Sequence, residues 1–137
     1  MIYLEKYIKD LEIEVKCLNN ICQNQVIPAA TAYQKILAKS INATKEALSR
    51  SAVLPAQTEI LKKIVELINK IYSANKEILA KVESASSIHD ESKKADMLCS
   101  KVKTKMDELR EYVDDLEVLV DDELWPMPKF WEMLFIS

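Results

Sequence analysis

The sequence predicts an all-α protein without a β-sheet, and its composition and apolar spacing both support this. The chain has 137 residues and no glycine, although average usage would give about ten. Without glycine no residue takes a positive φ angle freely, so tight hairpin turns are hard to build. Abundant Lys, Glu, Leu, Ile and Ala favour helix instead. The length suits one domain, and we expect residues 1–137 to form a single helical unit.

The first predicted helix spans about residues 2–52. Its apolar positions recur at steps of three and four, which defines one helix face. They are Leu4, Ile8, Leu11, Val15, Leu18 and Cys22, then Ala29, Tyr33, Ile36 or Leu37, Ile41, Thr44 and Leu48. Pro28 interrupts this face, and because proline removes a backbone donor and clashes with the preceding turn, we expect a helix kink there. The residues before Pro28 either fold back as a fourth helix or project toward another chain.

Two further helices are predicted after short serine-rich breaks. Ser49, Ser51 and Pro55 precede a second helix over about 56–84, with a stripe of Leu61, Ile64, Ile68, Ile71, Asn75, Ile78 and Val82. Ser87 resembles an N-cap with Asp90 three residues on. A third helix over about 88–120 carries Ile88, Ala95, Leu98, Val102, Met106, Leu109, Val113, Leu116 and Val120. Short connections make neighbouring helices antiparallel, so we expect an antiparallel bundle of three long helices.

The C-terminal segment holds the largest apolar side chains of the chain. Both tryptophans and both phenylalanines lie within residues 123–137. Pro126 and Pro128 prevent a continuous helix, because each proline pushes the preceding residue to an extended conformation. Pro128 is well placed to begin a short C-terminal helix over about 129–135. Burying one large apolar side chain is worth about 1.5–3 kcal/mol, so this segment must pack on the bundle or on a partner.

Charge and motif content exclude several functional classes. The net charge of −3 argues against a nucleic-acid partner, and no apolar run is long enough to cross a membrane. Gly-rich phosphate loops are impossible without glycine. Cys17, Cys22 and Cys99 are three thiols without disulfide-framework or zinc-site spacing, so we expect small buried apolar residues in a reducing, cytoplasmic setting.

Acidic residues gather near the end of the chain. Residues 107–137 carry ten Asp or Glu and two Lys or Arg. Two sets lie near one face of the third helix: Asp107, Glu111, Asp114 and Asp121, and beside them Glu108, Asp115 and Asp122. Like charges four residues apart repel. The simpler interpretation is a solvated face near Lys62, Lys63, Lys45 and Arg50; the alternative is a dock for a basic surface of another domain or subunit.

His89 is the only histidine of the chain. It allows a phosphotransfer site on a helical bundle, with Lys93 four residues on, although a structural or solvated role is favoured. One alternative for the whole chain is therefore a free-standing helical-bundle adaptor or His phosphotransfer module.

Two stretches resemble a known enzyme family. "DDELWPMPKFWEMLF" near the C-terminus is similar to the end of type III glutamine synthetases, and "IEVKCLNNICQNQVIPAA", residues 13–30, is similar to the start of their C-terminal helical region. The resemblance implies a fragment of a longer enzyme. That parent would make glutamine from glutamate, ammonia and ATP with Mg or Mn, as a ring-shaped homo-oligomer. The partners would be an upstream catalytic domain and neighbouring subunits.

The resemblance also sets which residues carry a role. No catalytic, cofactor-binding or metal-binding motif of the family matches this chain, so we expect the fragment not to be an enzyme by itself and to hold no cofactor. The family's closing motif matches Trp125, Pro126, Pro128, Phe130, Leu134 and Phe135, which implies a packing or interface tail. Trp131 departs from that motif, because a polar residue is expected at its position.

Overall fold

The computed structural model describes residues 2–121 and 123–125 of the chain. All regular structure in this part is helical and forms three helices. Helix α1 covers residues 2–47, α2 is Pro55–Ser86, and α3 covers residues 91–119. Two helices contain a π-helical segment, Cys22–Val26 in α1 and Leu98–Val102 in α3. The all-α prediction is confirmed for the described residues, whereas the short helix expected over 129–135 lies outside them.

The first helix ends earlier than the apolar pattern predicted. Its last residue is Ala47, five residues before the expected end at 52. Ser49 and Ser51 account for this difference: their hydroxyls hydrogen-bond at 2.8 Å, and the Ser51 N–H donates to Ser49 Oγ. Such local side-chain bonds compete with the helical ladder and favour a turn. Helix α2 then begins at Pro55, because proline lacks only a donor that the first helical turn leaves unpaired.

The third helix begins three residues later than predicted, and its cap is a different residue. Asp90 is the N-cap, with its carboxylate accepting from the backbone N–H groups of Ser92 at 2.9 Å and Lys93 at 3.5 Å. The predicted cap, Ser87, instead lies at the C-terminal end of α2, where its hydroxyl donates to the Ser84 carbonyl. Ile88 therefore lies in the connection, half-buried, and not on a helix face.

Neighbouring helices α2 and α3 run in opposite directions. Glu77 pairs with Lys105 at 3.1 Å, and the Lys70 ammonium lies 5.6 Å from the centre of the Tyr112 ring. Residue numbers therefore fall along α2 as they rise along α3. Helix α1 is also antiparallel to α2, since one groove joins Lys45 to Thr58 and another joins Val15 to Val82.

Helices α1 and α3 are consequently parallel. Glu12 pairs with Lys94 at 3.4 Å, and Glu14 approaches Arg110 at 4.0 Å. The first half of α1 therefore packs beside the beginning of α3 and the end of α2. Helical backbone angles continue through Val26 and Ile27, so this half does not fold back as a separate fourth helix.

The three predicted stripes supply most of the buried core. Fully or almost fully buried side chains include Ile64, Ile71, Leu98, Val102, Met106, Leu109, Leu116 and Val120. Among the residues that the structure describes, Asn75 is the one buried polar residue, and its side chain lies against the Cys22 thiol. Burial raises the pKa of Cys22, and the neighbouring Asn75 amide offsets part of this effect. Cys22 thus behaves as a small core residue, as predicted.

Pro28 follows directly after the π-helical segment of α1. The Ile27 N–H donates to the Cys22 carbonyl, a bond that spans five residues instead of four. This wider turn places Val26 and Ala30 in the core with no solvent exposure. Extra residues of this kind interrupt the regular ladder of an α-helix, and proline needs such a place because it donates no hydrogen bond. The kink at Pro28 stays a prediction.

Candidate interaction surface

The predicted tail is described only at its beginning. Trp125 is buried, with 6% of its surface exposed, and joins the core together with the half-buried Leu124. The other tail positions lie outside the described residues: Pro126, Pro128, Phe130, Trp131, Leu134 and Phe135. The segment is therefore tied to its own bundle at least at its first tryptophan.

A compact turn brings Trp125 to the bundle. The Asp121 carbonyl accepts from the N–H groups of Leu124 at 3.0 Å and Trp125 at 3.1 Å. The Asp121 carboxylate also accepts from the Glu123 N–H at 2.9 Å. An aspartate that bonds the backbone two residues on is a standard device for reversing the chain. The acidic residue before the tryptophan thus has a structural role that its charge alone did not predict.

Exposed apolar side chains cluster at the same end of the bundle as this turn. Val53 and Val118 are each 81% exposed and Leu48 is 71% exposed, the highest values among the large apolar residues described. Leu48 and Val53 belong to the connection between α1 and α2, and Val118 lies in the last turn of α3. Val53 and Val118 line different grooves of this end, and because exposed apolar surface marks contact sites, this end is a candidate contact region.

A groove lies between α1 and α2 at this end, and we call it the α1–α2 groove. It has a volume of about 420 Å³ and is lined by Lys45, Ala52, Val53, Leu54, Pro55, Thr58, Glu59 and Lys62. Its lining combines the apolar residues 52–55 with the polar side chains of Lys45, Thr58, Glu59 and Lys62. Arg50 lies in an adjoining hollow with Lys45. Glu59, which also lines the groove, pairs with Lys63 at 3.4 Å, and Glu46 lies in the adjoining hollow with Lys45 and Arg50.

The acidic face of α3 is exposed, as its simpler interpretation requires. Asp107, Glu111, Asp114 and Asp115 are all exposed. Asp115 lines a groove with Lys63 and Lys70, so the expected proximity to the start of α2 is found for Lys63. Lys45 and Lys62 lie instead in the α1–α2 groove. The apolar residues 52–54 of the connection were not predicted as part of any site, because only the fold brings them close to Lys45 and Lys62.

Between α2 and α3, Lys105 contacts a carboxylate of each helix, whereas Lys70 contacts one of its own helix. Lys105 contacts Glu77 at 3.1 Å and Glu108 at 3.2 Å, and these carboxylates raise the pKa of its ammonium group. Lys70 contacts Glu66 at 3.0 Å, which likewise raises the Lys70 pKa. These pairs are partly exposed, and each contributes little to stability. Of the three pairs, only Lys105–Glu77 joins the two helices.

The remaining predicted candidates are separate from one another. His89 is exposed in the connection before α3, one residue ahead of the Asp90 cap. Cys17 and Cys99 are exposed, so the expectation of buried thiols is wrong for these two residues. Both cysteines lie beside the buried face of their helices, where a small rotation of the helix decides whether a side chain is buried or exposed. Among the described residues, no group of three His, Cys, Asp or Glu side chains is placed to hold a metal ion.

A carboxylate pair at the other end of the bundle gives a prediction for pH. Glu91, in the first turn of α3, has an oxygen shielded from solvent. Burial raises the pKa of this carboxyl, and the nearby Glu5 carboxylate raises it further. Since the folded state then holds the proton more tightly than the unfolded state, this contribution to stability is present at low pH. It is lost as pH rises through the folded-state pKa.

Glu91→Gln should therefore stabilise the chain at pH 7 but not below the unfolded pKa of a glutamate, which is about 4.3. Urea unfolding at both pH values, followed by circular dichroism, measures the difference. Glu83→Gln, at an exposed position of α2, serves as the control and should show no such pH dependence. A gain of the same size at both pH values would contradict the explanation.

The helices were also compared with the length and apolarity that a membrane span requires. Within residues 2–121 and 123–125, none is long and apolar enough to cross a membrane.

Comparison with known proteins identifies relatives along the whole chain. The family described as "Glutamine synthetase C-terminal domain" matches residues 1–45, which is nearly the extent of α1. The type-3 glutamine synthetase of Dictyostelium discoideum is 33% identical over 98% of this chain and 19% of its own length. The glutamine synthetase of Bacteroides fragilis (strain YCH46) is 30% identical over 96% of this chain and 18% of its own.

The same pattern holds for a third relative. The glutamine synthetase of Butyrivibrio fibrisolvens is 27% identical over 98% of this chain. The chain thus spans about a fifth of the length of the curated relatives that it matches. These matches agree with the resemblance of the two terminal stretches: the chain belongs to the C-terminal domain family of the type III glutamine synthetases.

Proposed function

We propose that this chain is a non-catalytic helical domain that supports the assembly of a type III glutamine synthetase, or the packing of its catalytic domain. The observation that carries the proposal is the exposed apolar end of the bundle, where Leu48, Val53 and Val118 are at least 71% exposed. Large apolar side chains on a charge-rich bundle are better explained by a covering partner than by solvent. The proposal treats residues 1–137 as one domain, a fragment of the longer enzyme.

The parent enzyme would join ammonia to glutamate with ATP and Mg or Mn. That chemistry would belong to an upstream catalytic domain, because the relatives are about five times longer than this chain. The partners would be that catalytic domain and neighbouring subunits of a ring-shaped homo-oligomer. Three unpaired thiols suit a reducing compartment, so the proposed location is the cytoplasm.

Removing residues 126–137 from the full-length enzyme tests the assembly role. We expect the oligomer to dissociate or the enzyme to lose solubility, because the deleted residues include Phe130, Trp131, Leu134 and Phe135. Trp125 stays in this variant, so the bundle keeps the tryptophan that it buries. Native mass spectrometry gives the subunit number, and an unchanged oligomer would contradict the role in assembly.

The non-catalytic part of the proposal needs a separate measurement. The 137-residue chain, supplied with glutamate, ammonia, ATP and Mg²⁺ or Mn²⁺, should produce no glutamine above background. Full-length enzyme at the same molar concentration is the control. Glutamine formation by the chain at the full-length rate would contradict it.

A further inference from the structure

Helix α2 carries a row of exposed apolar side chains along its length. Val65, Tyr72 and Leu79 are 39%, 50% and 38% exposed. They recur every seven residues, which is close to two turns of the helix, so they lie in one line along its surface. We call these three residues the α2 stripe. A line of large apolar side chains at this spacing is a surface that a second helix can cover.

The α2 stripe points away from α3 of its own copy. Lys63 and Lys70 line the groove that α2 shares with α3, and Glu77 pairs with Lys105 of α3. Each residue of the stripe follows one of these three α2 residues by two positions, and two positions of a helix correspond to a rotation of about 200°. The stripe therefore lies on nearly the opposite side of α2.

One flank of the α2 stripe carries charges of opposite sign at its two ends. Lys62 lies three residues before Val65, and Glu83 lies four residues after Leu79, so both are beside the stripe on the same flank. Both side chains are exposed, and neither forms an ion pair with another described residue. The two residues are about 32 Å apart along the helix, which is too far for them to pair within one copy.

A second copy of α2, turned end for end about Tyr72, matches both the apolar and the charged pattern. Val65 lies seven residues before Tyr72 and Leu79 seven residues after it, so the Val65 of each copy meets the Leu79 of the other. Lys62 lies ten residues before Tyr72 and Glu83 eleven after it, so two Lys62–Glu83 pairs form between the copies. The mismatch is one residue, or about 1.5 Å.

A parallel arrangement of the two copies gives no such match. When two helices meet in an antiparallel orientation, the same flank of each lies on the same side of the contact, whereas in a parallel orientation the two flanks lie on opposite sides. Lys62 of one copy and Glu83 of the other could then not meet. The charges beside the stripe therefore select the antiparallel orientation, as flanking ion pairs do in coiled coils.

We infer that α2 of one copy packs antiparallel against α2 of a second copy, through the α2 stripe and two Lys62–Glu83 ion pairs. The same surface serves both copies, so the contact is isologous and joins copies in pairs. Three partly exposed apolar side chains provide less surface than a permanent interface, so the isolated chain should associate reversibly. The inference rests on the proposed assembly role, for which it names the surface and the partner.

Reversal of single charges tests the two ion pairs. Sedimentation equilibrium of the 137-residue chain across a range of concentrations should show a monomer–dimer equilibrium. Lys62→Glu places a carboxylate against Glu83 at both ends of the contact and should raise the Kd about tenfold, and Glu83→Lys should do the same. The matched control, Lys103→Glu, makes the same charge change at an exposed position of α3 and should leave the Kd unchanged.

An exchange of the two charges adds a readout that loss of folding cannot imitate. The double variant Lys62→Glu with Glu83→Lys restores both pairs between copies, so its Kd should return to that of the original chain. Because the two residues lie about 32 Å apart on one helix, this recovery cannot arise within a single copy. Circular dichroism checks that every variant keeps its helical content.

Three results would each overturn the inference: a chain that stays monomeric, a Kd that neither single reversal changes, or a double variant that associates as weakly as the single ones. The assembly role of the whole domain would then still stand or fall by the 126–137 deletion in the full-length enzyme.

Discussion

Replacing Trp125 with alanine is expected to lower the free energy of unfolding of the chain by about 3–5 kcal/mol, the usual cost of removing a buried large aromatic side chain. Only 6% of the Trp125 surface is exposed, and the side chain packs on the common core. Its loss would leave a cavity at the end of the bundle where α3 stops and the chain turns back. The prediction concerns the bundle alone and needs no partner.

Urea unfolding followed by circular dichroism at 222 nm, the usual helix wavelength, gives the free energy by linear extrapolation. Val118→Ala is the matched control, because Val118 is 81% exposed only seven residues earlier, and it should change stability by less than about 0.5 kcal/mol. If Trp125→Ala cost no more than the control, Trp125 would not be a core residue of this chain.

Val26→Asp should have a comparable effect at the π-helical segment of α1. Val26 has no exposed surface, and placing an unpartnered polar group in such a site costs roughly 2–7 kcal/mol. The neighbouring substitution Gln25→Asp puts the same carboxyl at an exposed position of the same segment, where it should cost less than about 1 kcal/mol. A large difference in stability cost between these adjacent positions would show that one defined face of the helix packs on the core.

The measurement is again chemical unfolding of the two variants beside the original chain. Equal stability of Val26→Asp and Gln25→Asp would mean that Val26 does not face the core. In that case the π-helical segment would not set the phase of α1.

The core of α2 and α3 could be predicted from spacing because helices repeat their faces, and in α3 the predicted stripe holds even through the π-helical segment Leu98–Val102. Positions such as Ile64, Ile71, Leu109 and Leu116 were all placed on stripes, and all are fully buried. Asn75 was placed on the same stripe in spite of its polarity, and it is buried too. Periodicity predicts burial here because the apolar residues form one continuous stripe along the face of each helix that packs on the bundle.

Helix α1 shows where spacing fails. Regular apolar spacing predicted that Ala29 would follow Cys22 on the buried face, whereas the structure buries Val26 and Ala30. The π-helical turn adds a residue, which shifts by one position the residues that face the core. No residue type within Cys22–Val26 predicts such a turn. Pro28 was a signal of disturbance, and the kink predicted there stays a prediction. Of the two alternatives for the residues before Pro28, folding back as a fourth helix did not follow, since the backbone stays helical through Val26 and Ile27.

The candidate surface could be predicted only in part. The acidic face of α3 and the lysines near the start of α2 were visible as charge patterns. That Lys45 and Lys62 share a groove with Val53 depends on how α1 and α2 meet, and spacing along one helix carries no such information. Exposure of Leu48 was equally hidden, because it continues the apolar phase of α1 one residue beyond the point where the helix ends.

The unbroken course of α1 has a mechanical consequence. At 1.5 Å per residue its 46 residues extend about 69 Å, from the Glu5–Glu91 end to the exposed apolar end. It therefore acts as a lever: a tilt of about 5° at its first turns displaces its last turn by about 6 Å over this length. The π-helical turn at Cys22–Val26 is the point along that lever where the regular ladder of hydrogen bonds changes.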